Sequence, residues 1–331
     1  MDARFGHVRS AAPGLHASAR CGWKENRVLS DPIERTGPAF AKANGIELCY
    51  ETFGKRTDPP LVLIMGLATQ MILWNEDFCA ELARQGRWVV RFDNRDMGLS
   101  TRFTEDKTPS MAAIFAGAAI GRPPTARYTL LDMAKDTIGL FDALGIDRAD
   151  VVGASMGGAI AMEMALNFPE RLRTITLIMA PSGDPKSPPP TAAAMANLIK
   201  PRPTDRESFV RSFVETWRVL AADHFPFDEV LTTWEGETSY ERGINPPGVA
   251  RQMLAIIASG DRLAKLHTLQ VPTLVIHGTL DPLVRLEIGL EVAKTIPGAT
   301  LVVIDGMGHS LPRGAWPQIL DAIRRHAPAG G

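Results

Sequence analysis

From Ala39 onward the chain alternates short apolar runs with stretches in which apolar residues recur every three or four positions. IELCYETFG (Ile46–Gly54) alternates apolar and polar residues, as a half-exposed strand does, and the Asn44-Gly45 turn pairs it with the AFAKA run just before. LVLIM (Leu61–Met65) and WVVRF (Trp88–Phe92) are continuous apolar runs, the mark of strands covered on both faces. Between them NEDFCAELARQG has helical spacing through Phe78, Leu82 and Ala83 and stops on Gly86. TLLDMAKDTIGLFDALGI (Thr129–Ile146) lines up Leu130, Met133, Ile138, Phe141 and Leu144 on one broad stripe. ADVVGA predicts the next strand and GGAIAMEMALNF its helix, ended before Pro169; LRTITLIMA, PTLVIHG and ATLVVID predict three more strands. This order argues for an α/β fold: one open, mostly parallel central sheet with helices on both faces.

One stretch breaks the rhythm. Between Pro181 and Val271 no strand pattern occurs; DPKSPPPT opens a segment with helical runs such as RESFVRSFVETWRVLAA and PPGVARQMLAIIASGD. An insertion of this kind, after which the sheet resumes at Pro272, reads as a helical cap over the strand ends. The expected organisation is a core of residues 39–180 and 270–327, a cap of residues 181–269, and a short tail of residues 328–331. Residues 1–38, with scattered Arg, Gly and Pro, read as a poorly ordered extension or packing arm.

Charge and composition narrow the partners. The 36 basic and 37 acidic residues nearly cancel, which gives no reason to expect a nucleic-acid partner. No apolar run approaches the roughly 18 residues of a membrane span, and the longest, MAAIFAGAAI (Met111–Ile120), falls well short. The first residues lack the apolar core of a secretory signal. Cys21, Cys49 and Cys79 form no C-x-x-C pair, and the last two lie in apolar runs as buried thiols would, so a cytoplasmic setting is expected.

The chemistry centres on VVGASMGGAIAMEMA, where Ser155 stands between a predicted strand and a predicted helix. Gly153 and Gly157 flank it at the two positions where a side chain would collide across so sharp a bend. Taken alone, such glycines could equally serve a packing turn. A serine nucleophile needs a base and a group to orient it, and in such sheets both belong at the carboxyl ends of strands. Asp281 follows PTLVIHG in TLDPLV, and His309 follows LVVID in GMGHSLP. The order Ser155, Asp281, His309 matches one hydrolase layout. Asp184, after the preceding strand, is a rival acid; Asp305 reads as shaping its loop, and His277 as a satisfied, partly buried histidine. A two-donor oxyanion site would take the N–H of Met156, directly after the serine, and that of Leu67, in the loop opened by Gly66.

These features resemble the α/β-hydrolase superfamily over about Ala39 to Ala327. The matching stretches are MGLATQ, RFDNRDMGLS, GASMGG, HGTLDPLV and GMGHSLP. Met65 in place of the common histidine, and Gly-Met-Gly-His before Leu-Pro, are most similar to bacterial carboxylesterases of the aclacinomycin methylesterase type. The resemblance implies Ser155, Asp281 and His309 as triad, with Leu67 and Met156 as oxyanion donors. DNRDMGLS departs from the family's Asp-x-Arg-Gly, since Asp96 holds the glycine position; Asp93 and Arg95 are expected to brace loops. Relatives with an aspartate nucleophile are excluded by Ser155.

The implied reaction is two-step acyl transfer to water on a small-molecule ester, without metal or nucleotide cofactor, since no H-E-x-x-H, Cys/His cluster, P-loop or G-x-G-x-x-G occurs. Met111, Phe115, Trp217 and Trp234 are candidate pocket residues, although aromatic and Met residues at helical spacing often only pack. So apolar an insertion favours an uncharged pocket and small or medium neutral esters. A cofactor-free perhydrolase, a C–C bond hydrolase and a non-turnover ligand receptor would share this layout and stay open as alternatives.

Overall fold

Strands β1 (Arg35–Ala43), β2 (Ile46–Phe53), β3 (Pro60–Ile64), β4 (Trp88–Phe92), β5 (Ala149–Ala154), β6 (Leu172–Ile178), β7 (Thr273–Gly278) and β8 (Thr300–Ile304) form one sheet in the order β1-β2-β4-β3-β5-β6-β7-β8. This is seen in a computed structural model that describes residues 33–104 and 107–329. β2 runs antiparallel to β1 and β4, and every other pairing is parallel. The apolar runs have both faces covered, as their composition requires. In β3, Val62 and Ile64 enter one core layer while Leu61 and Leu63 enter the other, because successive side chains point to opposite faces.

The helices are α1 (Glu76–Arg84), α2 (Met111–Ala119), α3 (Leu130–Leu144), α4 (Met156–Asn167), α5 (Ala192–Ile199), α6 (Arg206–Ala221), α7 (Glu229–Glu241), α8 (Pro246–Ser259), α9 (Leu263–Leu266), α10 (Leu286–Thr295) and α11 (Trp316–His326). α3, α4 and α10 cover one sheet face, and α1 and α11 the other. α3 shows how local signals set an element. Thr129 and Asp132 form a reciprocal capping box at its start, and Gly145, at φ 71°, ends it in the left-handed region. Helices α5 to α9 fill the interval between β6 and β7 without a strand. No described helix is long and apolar enough to cross a membrane.

One boundary differs from the sequence reading. The extension expected over residues 1–38 lies outside the described residues up to 32, but Arg35 to Pro38 belong to β1. Their polar character hid them. The register shifts between Thr36 and Ala39, where Gly37-Pro38 interrupts the ladder, and Arg35 pairs with Glu51 at 3.3 Å and Glu76 at 2.7 Å.

Candidate active site

Four loops at the carboxyl ends of β3, β5, β7 and β8 meet at one place. Ser155 follows β5 directly, with φ 54° and ψ −121°, a conformation that L-residues adopt only under strain. The surroundings hold it there. Its N–H donates to the Ile178 carbonyl at 2.9 Å, and its carbonyl accepts from Gly158 and Ala159 as α4 begins. A side chain on Gly153 would come within 2.2 Å of the Gly157 carbonyl oxygen, and one on Gly157 within 2.1 Å of the Ile64 oxygen. The two glycines therefore let strand, turn and helix close on one another. Gly158 faces Ala180 instead, where an added Cβ would lie 2.5 Å from that side chain.

Ser155 Oγ lies 3.0 Å from His309 Nε2, and His309 Nδ1 lies 2.7 Å from Asp281 Oδ2. The other oxygen of Asp281 accepts from the N–H groups of Leu283 at 2.9 Å and Val284 at 2.8 Å, which fixes the carboxylate in its turn. Asp281 and His309 are both buried. The backbone N–H of His309 donates to the Leu220 carbonyl at the end of α6, at 2.6 Å. Gly308 makes that approach possible, since a Cβ there would meet the Leu220 oxygen at 2.4 Å. Such a chain can carry a proton from the serine hydroxyl to the imidazole, while the carboxylate holds the ring and stabilises its cation.

The rival acid and the other histidine take different places. Asp184 Oδ1 accepts from the Lys186 N–H and makes no bond to His309. Asp305 accepts from Thr279 Oγ1 at 3.0 Å and shapes its loop. His277 is fully buried, not partly so: Nε2 bonds the Val284 carbonyl at 2.7 Å, while Nδ1 has no partner among the described residues. Burial lowers its pKa, which keeps the ring neutral beside Asp281.

On the β3 side, Gly66 packs so close to the serine that an added Cβ would sit 3.1 Å from the Ser155 Cβ. The N–H groups of Leu67 and Met156 donate to no protein acceptor among the described residues. The loop after β3 that carries Leu67 is tied down by Asp93, expected from the sequence to brace it, and by Gln70, Arg242 and Gln252, which carried no such signal. Gln252, buried on α8, accepts from the Ala68 N–H at 3.1 Å and donates to the Arg95 carbonyl at 2.9 Å. Gln70 reaches the Ser239 carbonyl at 2.8 Å, and Arg242 bridges Gln70 and Asp93. Asp93 itself accepts from the N–H groups of Met71 and Leu99.

Asp96, which stands at the family's glycine position, explains itself by its contacts. At φ 69° it keeps the backbone conformation a glycine would adopt. Its buried carboxylate meets both Nε and Nη2 of Arg251 at 2.9 and 2.7 Å and accepts from Tyr128 at 2.8 Å. Asn245, which caps α8, donates to it as well. The departure from the family pattern thus anchors α8. The one sequence signal for it was Asp96 itself.

A cavity of about 740 Å³ opens beside Ser155 and His309, lined largely by apolar residues that include Phe115, Phe213, Trp217 and Met253. Of the expected pocket residues, Phe115 and Trp217 line it and Met111 and Trp234 do not. Met111 starts α2 and packs on the small cluster of Ile114, Ala250, Met253 and Leu254. Trp234 is 44% exposed. α7 turns Thr232, Gly236 and Ser239 inward, and Trp234 lies about 200° around the helix from the first two. The pocket is also not free of charge: Asp184, Arg202 and Asp261 share its wall. They come from loops that flank helices, where composition does not reveal direction. Among the described residues no group of three or more His, Cys, Asp or Glu could hold a metal ion.

The sheet, the strand-to-helix serine and the cavity over the strand ends define an α/β-hydrolase arrangement. The chain belongs to the alpha/beta hydrolase fold family, whose model matches residues 59–312. It is 30% identical over 315 residues to a rhodomycin D methylesterase of Streptomyces sp. (strain C5), covering 86% of this chain and 96% of that protein. It is also 32% identical over 214 residues to a 2-hydroxymuconate semialdehyde hydrolase of Pseudomonas sp. (strain CF600), covering 61% of this chain and 68% of that one. Among solved structures it shares its fold with a 2-hydroxy-6-oxo-6-phenylhexa-2,4-dienoate hydrolase from Rhodococcus sp. strain RHA1. There the TM-score is 0.67 at 22% identity, with 88% of this chain and 100% of that one covered.

Proposed function

We propose that this protein is a serine carboxylester hydrolase that works through an acyl-enzyme, with Ser155 as nucleophile, His309 as general base and acid, and Asp281 orienting the imidazole. The observation that carries the reading is the hydrogen-bond chain from Asp281 through His309 to Ser155, with links of 2.7 and 3.0 Å, in the wall of a largely apolar cavity. His309 Nε2 takes the hydroxyl proton as Ser155 Oγ attacks the ester carbonyl, and the oxyanion is held by the N–H groups of Leu67 and Met156. As the tetrahedral adduct collapses, the same proton passes to the departing alcohol. Water then attacks the acyl-serine, losing its proton to His309, which returns it to Ser155 as the acid leaves.

Residues 181–269 act in this reading as a cap that shapes the substrate pocket, with α6 touching the His309 loop through Leu220. The body of the ester is small to medium-sized and largely apolar, in keeping with the lining by Phe115, Phe213 and Trp217. The similarity to a rhodomycin D methylesterase supports a methyl ester as the bond cut. The similarity to a 2-hydroxymuconate semialdehyde hydrolase favours a second reading, in which the same serine cleaves a C–C bond. We place the protein in the cytoplasm, where the buried free thiols of Cys49 and Cys79 would stay reduced.

An ester panel varied in acyl and alcohol size, run beside a vinylogous diketone substrate, separates the two chemistries. Ser155→Ala should abolish turnover and labelling by an organophosphonate, and labelling that persisted would overturn the assignment of the nucleophile. Asp281→Asn should lose far more activity than Asp184→Asn.

A further inference from the structure

Buried arginines in this protein come with carboxylates. Arg87 pairs with Asp150 at 2.9 Å, Arg95 with Asp136 at 2.5 Å, Arg251 with Asp96 at 2.7 Å, and Arg262 with Glu163 at 3.9 Å; Arg91 meets Glu51. These are the five arginines buried among the described residues. The pattern follows from physics, since a guanidinium stays charged in any protein setting and is costly to enclose without an anion.

Arg202, half-buried, has no such carboxylate among the described residues. It lines the cavity beside Ser155 and His309, and no other arginine or lysine does so among the described residues. No hydrogen bond, ion pair or aromatic ring partner is found for its guanidinium among those residues. Asp184 and Asp261, the carboxylates that share the wall, do not reach it. Burial against the cavity wall lowers its pKa.

The segment that carries Arg202 is built to hold a direction. It joins α5 to α6 as Lys200-Pro201-Arg202-Pro203. The two prolines fix φ on either side, and a residue before proline is itself confined to extended backbone. Lys200 ties the segment to α6 through Glu215 at 3.0 Å. Restricted backbone and a free fork of donors facing a cavity are what bidentate capture of an anion requires.

We propose that Arg202 binds a carboxylate of the substrate, so that the protein's ester carries a second, free carboxylate group away from the bond that is cut. This rests on the esterase reading of Ser155 and deepens it. The apolar walls take the body of the molecule, Ser155 takes the ester, and Arg202 takes the acid, which gives the pocket a polarity along its length. The substrate class is then the half-ester of a dicarboxylic acid, or an ester of a hydroxy acid, rather than a fully neutral ester.

The test compares monomethyl with dimethyl esters of adipic, suberic and sebacic acids, and ω-acetoxy acids with their methyl esters. The readout is the ratio of kcat/KM for the acid over its neutral partner. The native protein should favour the acid by about ten- to hundredfold for the length that fits, as a charge-assisted hydrogen bond would. Arg202→Met should bring the ratio near one, and Arg202→Lys should restore part of it. A native ratio near one for every pair, or a preference that survives in Arg202→Met, overturns the proposal. Calorimetry on Ser155→Ala with monomethyl suberate measures the contact without turnover: binding should weaken about tenfold or more when Arg202→Met is added. No binding, or equal binding in both proteins, overturns the proposal in the same way. Absence of Ser155-dependent hydrolysis of every ester, by contrast, removes the esterase reading and leaves the binding comparison to decide on Arg202.

Discussion

Gln252 on α8 joins the cap interval to the loop after β3, with its Oε1 3.1 Å from the Ala68 N–H. Ala68 stands at φ 63°, next to the Leu67 N–H proposed as an oxyanion donor. The bond therefore fixes the direction of that donor from a residue that never touches the reacting atoms. Gln252→Leu should lower kcat by about tenfold or more with little change in KM, since a displaced donor is felt chiefly in the transition state. A rise in KM at constant kcat would assign Gln252 to substrate binding instead. Steady-state kinetics on the purified variant decides.

The buried Asp96 carboxylate meets Arg251 through two bonds. Removing it leaves that guanidinium without its carboxylate, a loss of about 3 kcal/mol or more. Asp96→Gly should destabilise the fold by this order although glycine suits φ 69° better than aspartate. Urea unfolding checks it. Unchanged stability in Asp96→Gly would mean that backbone relief offsets the lost pair.

Trp217 lines the cavity, whereas Trp234 is exposed on α7. Trp217→Ala should enlarge the pocket and shift preference toward bulkier esters, changing relative kcat/KM by about tenfold across a size series. Trp234→Ala should leave the series unaltered. Equal effects of both changes would move the pocket toward the outer face of α7.

Glu235 lies within α7, and burial first, then the nearby Asp228 charge, push its carboxyl up from 4.5 to about 8. The folded protein therefore holds this proton where the unfolded chain has released it. Stability from this group is fully present below the unfolded value and is lost as pH rises through the folded one. Glu235→Gln should flatten the fall in Tm between pH 4.5 and about 8 and raise Tm at the upper end. Parallel Tm profiles for native protein and variant would show that the carboxyl titrates in water.

What the amino-acid order determined by itself was everything encoded within a few neighbouring residues. Apolar runs such as Leu61–Met65 and the stripe on α3 predicted the alternating layers. Gly153 and Gly157 predicted the bend at Ser155, because the collision they avoid is local. Asp281 and His309 were legible because each follows its own strand, and parallel strands bring their carboxyl ends together. Tertiary structure alone decided the contacts made across long stretches of chain. Gln252 lies 184 positions from Ala68, and Arg251 lies 155 from Asp96. Whether a tryptophan faces cavity or water depends on how its helix packs, so Trp217 and Trp234 looked alike in sequence. The same holds for Arg202, one arginine among many in the sequence, which only the packing of α5 and α6 brings to the cavity, without a partner among the described residues.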